Sequence, residues 1–338
     1  VEGVELTAGR PVRRVLLTGA AGFIGARLAR LLIAEGHGIT AILTPGGDRT
    51  RLAELLPFMR IVECDLSDIG SRAERLRDSR PDVCIHLAWR GGVTGADPRA
   101  HLSSLGRSLT LMERLADLGC PRFVSAGTCF EYEPASVPLG ENAPLAPHEI
   151  YGECKKALFD VAMRFAGTTG LSVAVPRIFY VYGPQEAPQR LVPSTVRALL
   201  ASEPAKVTPG EQVRDYLHVD DVATAIWTVA QSHVTGSINV ASGEAVTIAE
   251  LTRKIADLVG RPELVELGAR PYRSGEPMYL VGDATLLRRM GWTPRYDLHL
   301  GLEQTIDWWR AGSTGQETAR ARPSVTAAGR TTGKGRRT

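Results

Sequence analysis

No apolar run in this 338-residue chain reaches the ~18–20 residues that a membrane span requires. Residues 1–10 lack the basic-then-apolar order of a secretory leader, so none is expected. Cysteine is scarce: Cys64, Cys84, Cys120, Cys129 and Cys154 are odd in number and form no Cys-x-x-Cys pair. That excludes a disulfide framework and a thiolate zinc site, and it points to a reducing, cytoplasmic compartment with no metal centre. A uniform charge of one sign is also missing. The net charge is +3, yet from Ala311 onward six basic residues (Arg320, Arg322, Arg330, Lys334, Arg336, Arg337) face one acid, Glu317, and without them the body carries −2. That end is rich in Gly, Ser, Thr and Ala without apolar periodicity, so residues 311–338 are expected to be a disordered basic tail. A solvated end is preferred to a nucleic-acid-binding arm, and neither nucleic acid nor membrane is expected as a partner.

What remains has ordinary globular composition, 43% hydrophobic and 23% charged, and length for about two domains. Short apolar runs at 15–17, 39–43, 60–63, 82–88, 122–125 and 171–178 alternate with helix-compatible stretches. Residues 23–35, closed by Gly36, are the first of these helices. Strands separated by helices imply right-handed crossovers and an α/β, doubly wound parallel sheet covered on both faces. After Gly183-Pro184 the rhythm changes. A Pro-rich segment surrounds one helix near 193–201, and a helix follows Asp220, with a strand at 238–240. Helices are expected near 247–259, 283–290 and 298–310, with 261–281 loop-like. The expected division is 12–183 plus 217–242 for the first domain and 184–216 plus 243–310 for a smaller, interleaved substrate domain.

Between the first strand and first helix stands Thr18-Gly19-Ala20-Ala21-Gly22-Phe23-Ile24-Gly25, with glycines three apart. Gly19 permits a tight turn, Gly22 lets backbone approach a pyrophosphate, and Gly25 lets the helix pack close. The helix N-terminus offers free N–H groups to phosphates. A glycine triplet alone is a common turn; its place after the first strand makes it a dinucleotide site. The second strand ends Leu43-Thr44-Pro45-Gly46-Gly47 without the acid that would bind a ribose 2′-hydroxyl, and Arg49 and Arg51 follow. NADP(H) is therefore favoured, with NAD(H) as the alternative if those arginines are only surface charges. Asp65, ending the third strand, is either an adenine contact or a strand-end cap.

Tyr151-Gly152-Glu153-Cys154-Lys155 opens a helix, and its phenol and ammonium, four apart, share a face. A phenol with pKa near ~10 transfers protons poorly at neutral pH, and a neighbouring cation favours its phenolate. Thr128 lies just past the fifth strand, where ligands sit in such sheets, and its hydroxyl can hold a substrate oxygen beside Tyr151.

The glycine triplet, His86-Leu87-Ala88, Thr128, Tyr151/Lys155, Pro176-Arg177 with Tyr182-Gly183-Pro184, and Arg214-Asp215-Tyr216-Leu217-His218-Val219-Asp220-Asp221 occur in one order over about residues 12–310. In that order the chain resembles the extended short-chain dehydrogenase/reductases, the NAD-dependent epimerase/dehydratase family of sugar-nucleotide enzymes. The resemblance implies a Rossmann domain, a nucleotide-sugar substrate and Thr128, Tyr151 and Lys155 as catalytic trio. It implies a cofactor lining of Gly19, Gly22, Phe23, Ile24, Gly25, Thr44, Arg49, Asp65, Leu66, Leu87 and Ala88 beside Tyr151 and Lys155. Substrate contacts are expected from Trp89, Arg90 and Tyr180, with Arg214 and Arg273 as clamps on the diphosphate. A homodimer through helices near 104–118 and 150–165 is implied as well.

Departures narrow the reaction. Sugar 4,6-dehydratases carry Asp-Glu directly after the threonine, and Cys129-Phe130 stand there instead. Asparagine is usual where Tyr180 is. The expectation is reduction, by hydride from nicotinamide and a proton from Tyr151, of the 4-keto group of a nucleotide-linked, dTDP-type 4-keto-6-deoxysugar. The alternatives are an NAD-dependent nucleotide-sugar 4-epimerase and a non-catalytic nucleotide-sensing protein.

Overall fold

The computed structural model describes residues 12–72, 74–91 and 97–320. Its centre is a parallel sheet of β1 (Arg14–Thr18), β2 (Gly38–Leu43), β3 (Arg60–Glu63), β4 (Val83–His86), β5 (Arg122–Ser125), β6 (Gly127–Thr128), β7 (Ser172–Ile178) and β8 (Gly236–Val240). The order is β8-β7-β5-β4-β1-β2-β3, with β6 also paired to β7. Alternation along each strand sends side chains to opposite faces. Val15 and Leu17 enter one apolar core with α1 (Phe23–Ala34) and α5 (Val219–Gln231). Leu16 enters the other, with α2 (Pro98–Asp117) and α3 (Ile150–Thr169). A sheet buried on both faces needs apolar residues at consecutive positions, which is why the strands read as runs rather than as alternation.

Strand order reverses direction between β1 and β4, and a ligand crevice belongs beyond the carboxyl ends of those two strands. Both motif turns converge there. Gly19 follows β1 at φ +72°, and a Cβ on it would lie 2.7 Å from the Leu87 carbonyl carbon and the Ala88 nitrogen that follow β4. A left-handed residue wedged against backbone can only be glycine without strain.

A third core joins α4 (Leu191–Leu200), α6 (Ile248–Val259) and α7 (Leu298–Arg320) through Val192, Val196, Leu199, Leu251, Ile255, Leu302 and Ile306. Leu287 and Trp292, assigned by chain order to the substrate domain, pack into the α1/α5 face of the sheet, where the Trp292 indole donates to Thr224 Oγ1 at 3.0 Å. The helix expected to stop at 310 runs on to Arg320, so residues 311–320 are helical backbone. Once an amphipathic turn is anchored, adding further residues costs little even without periodicity. Residues 321–338 of the expected tail lie outside the described residues. No helix among the described residues is long and apolar enough to cross a membrane.

Candidate active site

The crevice at the strand reversal is a cleft of ≈ 200 Å³ lined by Gly19, Gly22, Thr44, Arg49, Leu66 and Ala88, together with Asp48 and Cys64. Of the other residues expected to hold cofactor, Phe23 and Ile24 open α1 behind the turn, and Leu87 abuts Gly19 through its backbone. Gly25 is packed tightest. A Cβ there would sit 2.1 Å from the Gly19 carbonyl oxygen.

Two arginines are engaged differently from expectation. The Arg49 guanidinium, read as free to pair with a 2′-phosphate, is held by Glu63 at the end of β3. Arg90, read as a substrate contact, instead donates to Asp65 Oδ2 at 2.8 Å. Asp65 Oδ1 accepts from the Ser67 N–H and hydroxyl, each at 2.9 Å, which is the capping role. Those bonds, led by the Ser67 backbone N–H, hold its carboxyl below the usual range. Such partners, 14 and 25 residues away in sequence, leave no local signal.

One residue beyond Ala88, Trp89 begins an aromatic wall. Its ring lies edge-on to Tyr151 at 6.2 Å between centroids, and Phe130 packs against Tyr151 at 6.4 Å and Tyr180 at 6.0 Å. The Trp89 indole donates to His101 Nδ1 at 3.1 Å. Thr128, Tyr151 and Lys155 are brought together here. Burial among the rings pushes the Tyr151 phenol well above its ordinary value, and a hydrogen bond with the Thr128 side chain opposes that push. Lys155, 4% exposed, donates from Nζ to the Ala126 carbonyl at 2.7 Å and sits 3.9 Å from the Trp89 ring centroid. Burial lowers its pKa to about 7, against the charge of Glu131, which raises it. The expected depression of the phenol by its lysine is overridden, because loss of water penalises both charged forms at once.

The Cys129 thiol is pushed far up by burial, and at 1% exposure it is no proton donor for a substrate. His86 bridges Thr18 Oγ1 (2.7 Å) and Ser108 Oγ (2.8 Å) in the core, and burial lowers its pKa to about 3. It is a neutral tie between β1, β4 and α2. Arg214, 2% exposed, lies 5.4 Å from the Tyr180 ring centroid and pairs with Glu276 at 3.1 Å. Arg273 is exposed and meets the carboxylate of the same Glu276 through its backbone N–H, at 3.3 Å, so the two expected clamps converge on one carboxylate. The His218 ring caps α5 by accepting from the Asp220 N–H at 3.3 Å.

Sequence reasoning passed over Glu131. It stands three residues after Thr128, which is the spacing of a capping box, and both halves of that box are present. Gly152 closes the same corner, since a Cβ on it would lie 2.2 Å from the Phe130 carbonyl oxygen.

A glycine-lined crevice at the strand reversal, with a tyrosine and a lysine four residues apart on one helix, is the arrangement of a Rossmann-type fold. The chain belongs to the NAD dependent epimerase/dehydratase family, whose model matches residues 15–241. It is 30% identical over 311 residues to a UDP-glucose 4-epimerase of Mycolicibacterium smegmatis, covering 88% of this chain and 98% of the relative. It is 28% identical over 319 residues to a dTDP-glucose 4,6-dehydratase of the same organism, covering 89% and 94%. The UDP-glucose 4-epimerase of Thermus thermophilus, solved in complex with NAD, superposes with TM-score 0.79 at 26% identity, over 88% of this chain and 98% of that one.

Proposed function

We propose that this protein reduces the 4-keto group of a nucleotide-linked 4-keto-6-deoxysugar, taking hydride from a bound nicotinamide cofactor and a proton from Tyr151. One observation carries the reading. The two positions after Thr128 hold a buried thiol and a phenyl ring, and Tyr151, hydrogen-bonded to the Thr128 side chain, is the proton-transfer group beside it. That equips the site for hydride plus one proton, and not for eliminating water.

Gly19, Gly22, Thr44, Leu66 and Ala88 would hold the dinucleotide in the cleft they line, and the cofactor supplies hydride when bound. Thr128 orients the substrate oxygen and Tyr151 protonates it. Lys155 would lie beside the nicotinamide ribose and, while protonated, would set a positive charge near the phenol. The balance between cofactors tips to NAD(H): Glu63 already occupies Arg49, the guanidinium that a 2′-phosphate would need. The Thermus thermophilus relative with NAD supports the same choice. Arg214 and Arg273 are the candidates for the diphosphate, which would displace Glu276 from Arg214. Arg90 contributes to the adenine side through Asp65. The substrate domain is formed by 184–216 and by 243–310 without the helix that carries Leu287. Two copies pair through α2 and α3, which expose Leu102 and Val161, and a monomeric mass in light scattering would reject the pairing.

A nucleotide-sugar 4-epimerase is the second reading, favoured by the Mycolicibacterium smegmatis and Thermus thermophilus relatives. The purified protein distinguishes them. A reductase consumes added NADH or NADPH stoichiometrically when offered a dTDP-linked 4-keto-6-deoxyhexose, whereas an epimerase interconverts UDP-hexoses with none added. Tyr151→Phe is expected to lower turnover by about 10²–10⁴-fold while dinucleotide binding persists. Near-normal turnover in that variant overturns the assignment.

A further inference from the structure

Glu131 and Arg177 form an ion pair with almost no access to water. Their side chains are 0% and 1% exposed, and Arg177 Nε meets Glu131 Oε2 at 2.8 Å. An ion pair so deeply desolvated is a poor source of stability, because apolar residues of equal volume commonly do as well. Its geometry supplies another role. The second carboxylate oxygen, Oε1, accepts the Thr128 N–H at 2.8 Å, and a Cβ on Gly127 would lie 2.8 Å from that same oxygen.

The clamp is anchored in the sheet. Arg177 lies on β7 and donates from Nη1 to the Tyr132 hydroxyl (3.2 Å) and the Glu141 carbonyl (3.3 Å). Tyr132 donates in turn to Asn239 Oδ1 on β8 at 2.7 Å. The guanidinium also lies 4.9 Å from the ring of Phe159, one turn beyond Lys155 on α3. One buried cation therefore touches both the support of Thr128 and the helix that carries Tyr151 and Lys155.

We propose that Glu131 is a positioning residue: held by Arg177, its carboxylate fixes Thr128 through the backbone and sets a negative charge facing Lys155. The inference rests on the Thr128–Tyr151–Lys155 reading above. Around Glu131 stand Arg177, Tyr132, Tyr151 and Lys155; around Lys155 stand Glu131 and the neutral His86. Burial raises the Glu131 carboxyl, and the bonded Arg177 opposes that; burial lowers the Lys155 pKa, and the Glu131 charge opposes it in turn. Without that carboxylate the ammonium loses its proton at lower pH.

Glu131→Gln keeps an oxygen for the Thr128 N–H but removes the charge, and it strands Arg177. The double variant Glu131→Gln/Arg177→Met removes both charges and keeps the test open if the single variant does not fold. Both are compared with the intact protein by turnover of a dTDP-linked 4-keto-6-deoxyhexose with NADH across pH, alongside circular dichroism. The expected result is a folded variant with kcat reduced about tenfold to a hundredfold, since small misplacements near reacting atoms cost that much. KM should stay within about twofold, and the alkaline limb of kcat should move to lower pH. Glu131→Asp, which restores charge without reach, should return the limb while kcat stays low. A purely structural role would lower the melting temperature and leave the limb in place, and a folded double variant with that behaviour overturns the proposal. Tyr151→Phe is the control: if it turns over normally, the catalytic reading beneath this inference falls and the inference falls with it.

Discussion

At the scale of single residues, desolvation sets the charge of this site more than pairing does. It pushes Tyr151 up and Lys155 down, so the pocket holds a protonated phenol and a readily neutralised amine. A protonated phenol is the form that a reductase needs for donating a proton. Glu186 follows the same rule at the loop after Tyr182-Gly183-Pro184. It is 7% exposed, its Oε2 has no hydrogen-bond partner, and burial raises its carboxyl to about 8 against the weaker pull of Arg190, 3.7 Å away. The folded form binds this proton more tightly than the unfolded chain, whose glutamate titrates near 4.5. Its contribution is therefore intact below about pH 4.5 and is lost as pH rises through about 8. Glu186→Gln removes a carboxylate that the fold is forced to bury. The variant should melt several degrees above the parent at about pH 8 and with it at about pH 4.5. Equal melting temperatures at both pH values would rule out a buried, reluctant carboxyl at this position.

Among the elements, the junction of the first turn with α1 has the least tolerance. An alanine at Gly25 would drive its Cβ to 2.1 Å from the Gly19 carbonyl oxygen, and backbone cannot rotate away as a side chain does. Overpacking of this kind costs typically about 1–3 kcal/mol. Gly25→Ala should lower the melting temperature and weaken dinucleotide binding together in calorimetric titration; unchanged binding in a folded variant would show that the turn does not cradle the cofactor. This element was legible because its constraint is local, three glycines between a strand and a helix. The sheet was legible for a related reason, since strands covered on both faces leave continuous apolar runs such as Val15-Leu16-Leu17. The substrate lobe left much less to read. Its pairings, Ala205–Lys206 with Val265–Glu266 and Val213–Arg214 with Val246–Thr247, are two residues long, too short for a period to register. The helix bearing Leu287 was assigned by its order in the chain, whereas its apolar side is covered by α5 and β8. The roles of Arg49 and Arg90 depend on carboxylates brought near by folding alone.

For the whole molecule, the link between the sheet and the second lobe is a short stretch of backbone held from the side of the glycine-lined cleft. Tyr180–Tyr182 and Tyr216–His218 pair in parallel and carry the chain into the second lobe and back. Immediately after, Arg27 on α1 donates to the Pro184 carbonyl at 3.2 Å, and Arg51 donates to the Gln185 carbonyl at 3.0 Å. Gln185 sits at φ +71°, a conformation that a non-glycine residue holds only when its surroundings impose it. Arg51 comes from the segment just after the residues lining the dinucleotide cleft, so ordering that segment around a cofactor also steadies the loop bearing Glu186 and Arg190. Coupling of this kind is a free energy shared by both ligands and is reciprocal. NAD should tighten binding of UDP or dTDP to the intact protein, and the nucleoside diphosphate should tighten NAD by the same factor. Arg51→Ala removes one of the two grips without changing a residue that lines the cleft. In that variant each ligand should still bind alone, but the mutual enhancement should shrink towards one in titration calorimetry. An enhancement of undiminished size would mean that the lobes communicate through the Tyr180–Tyr216 pairing itself and that the arginine grip only shapes the loop.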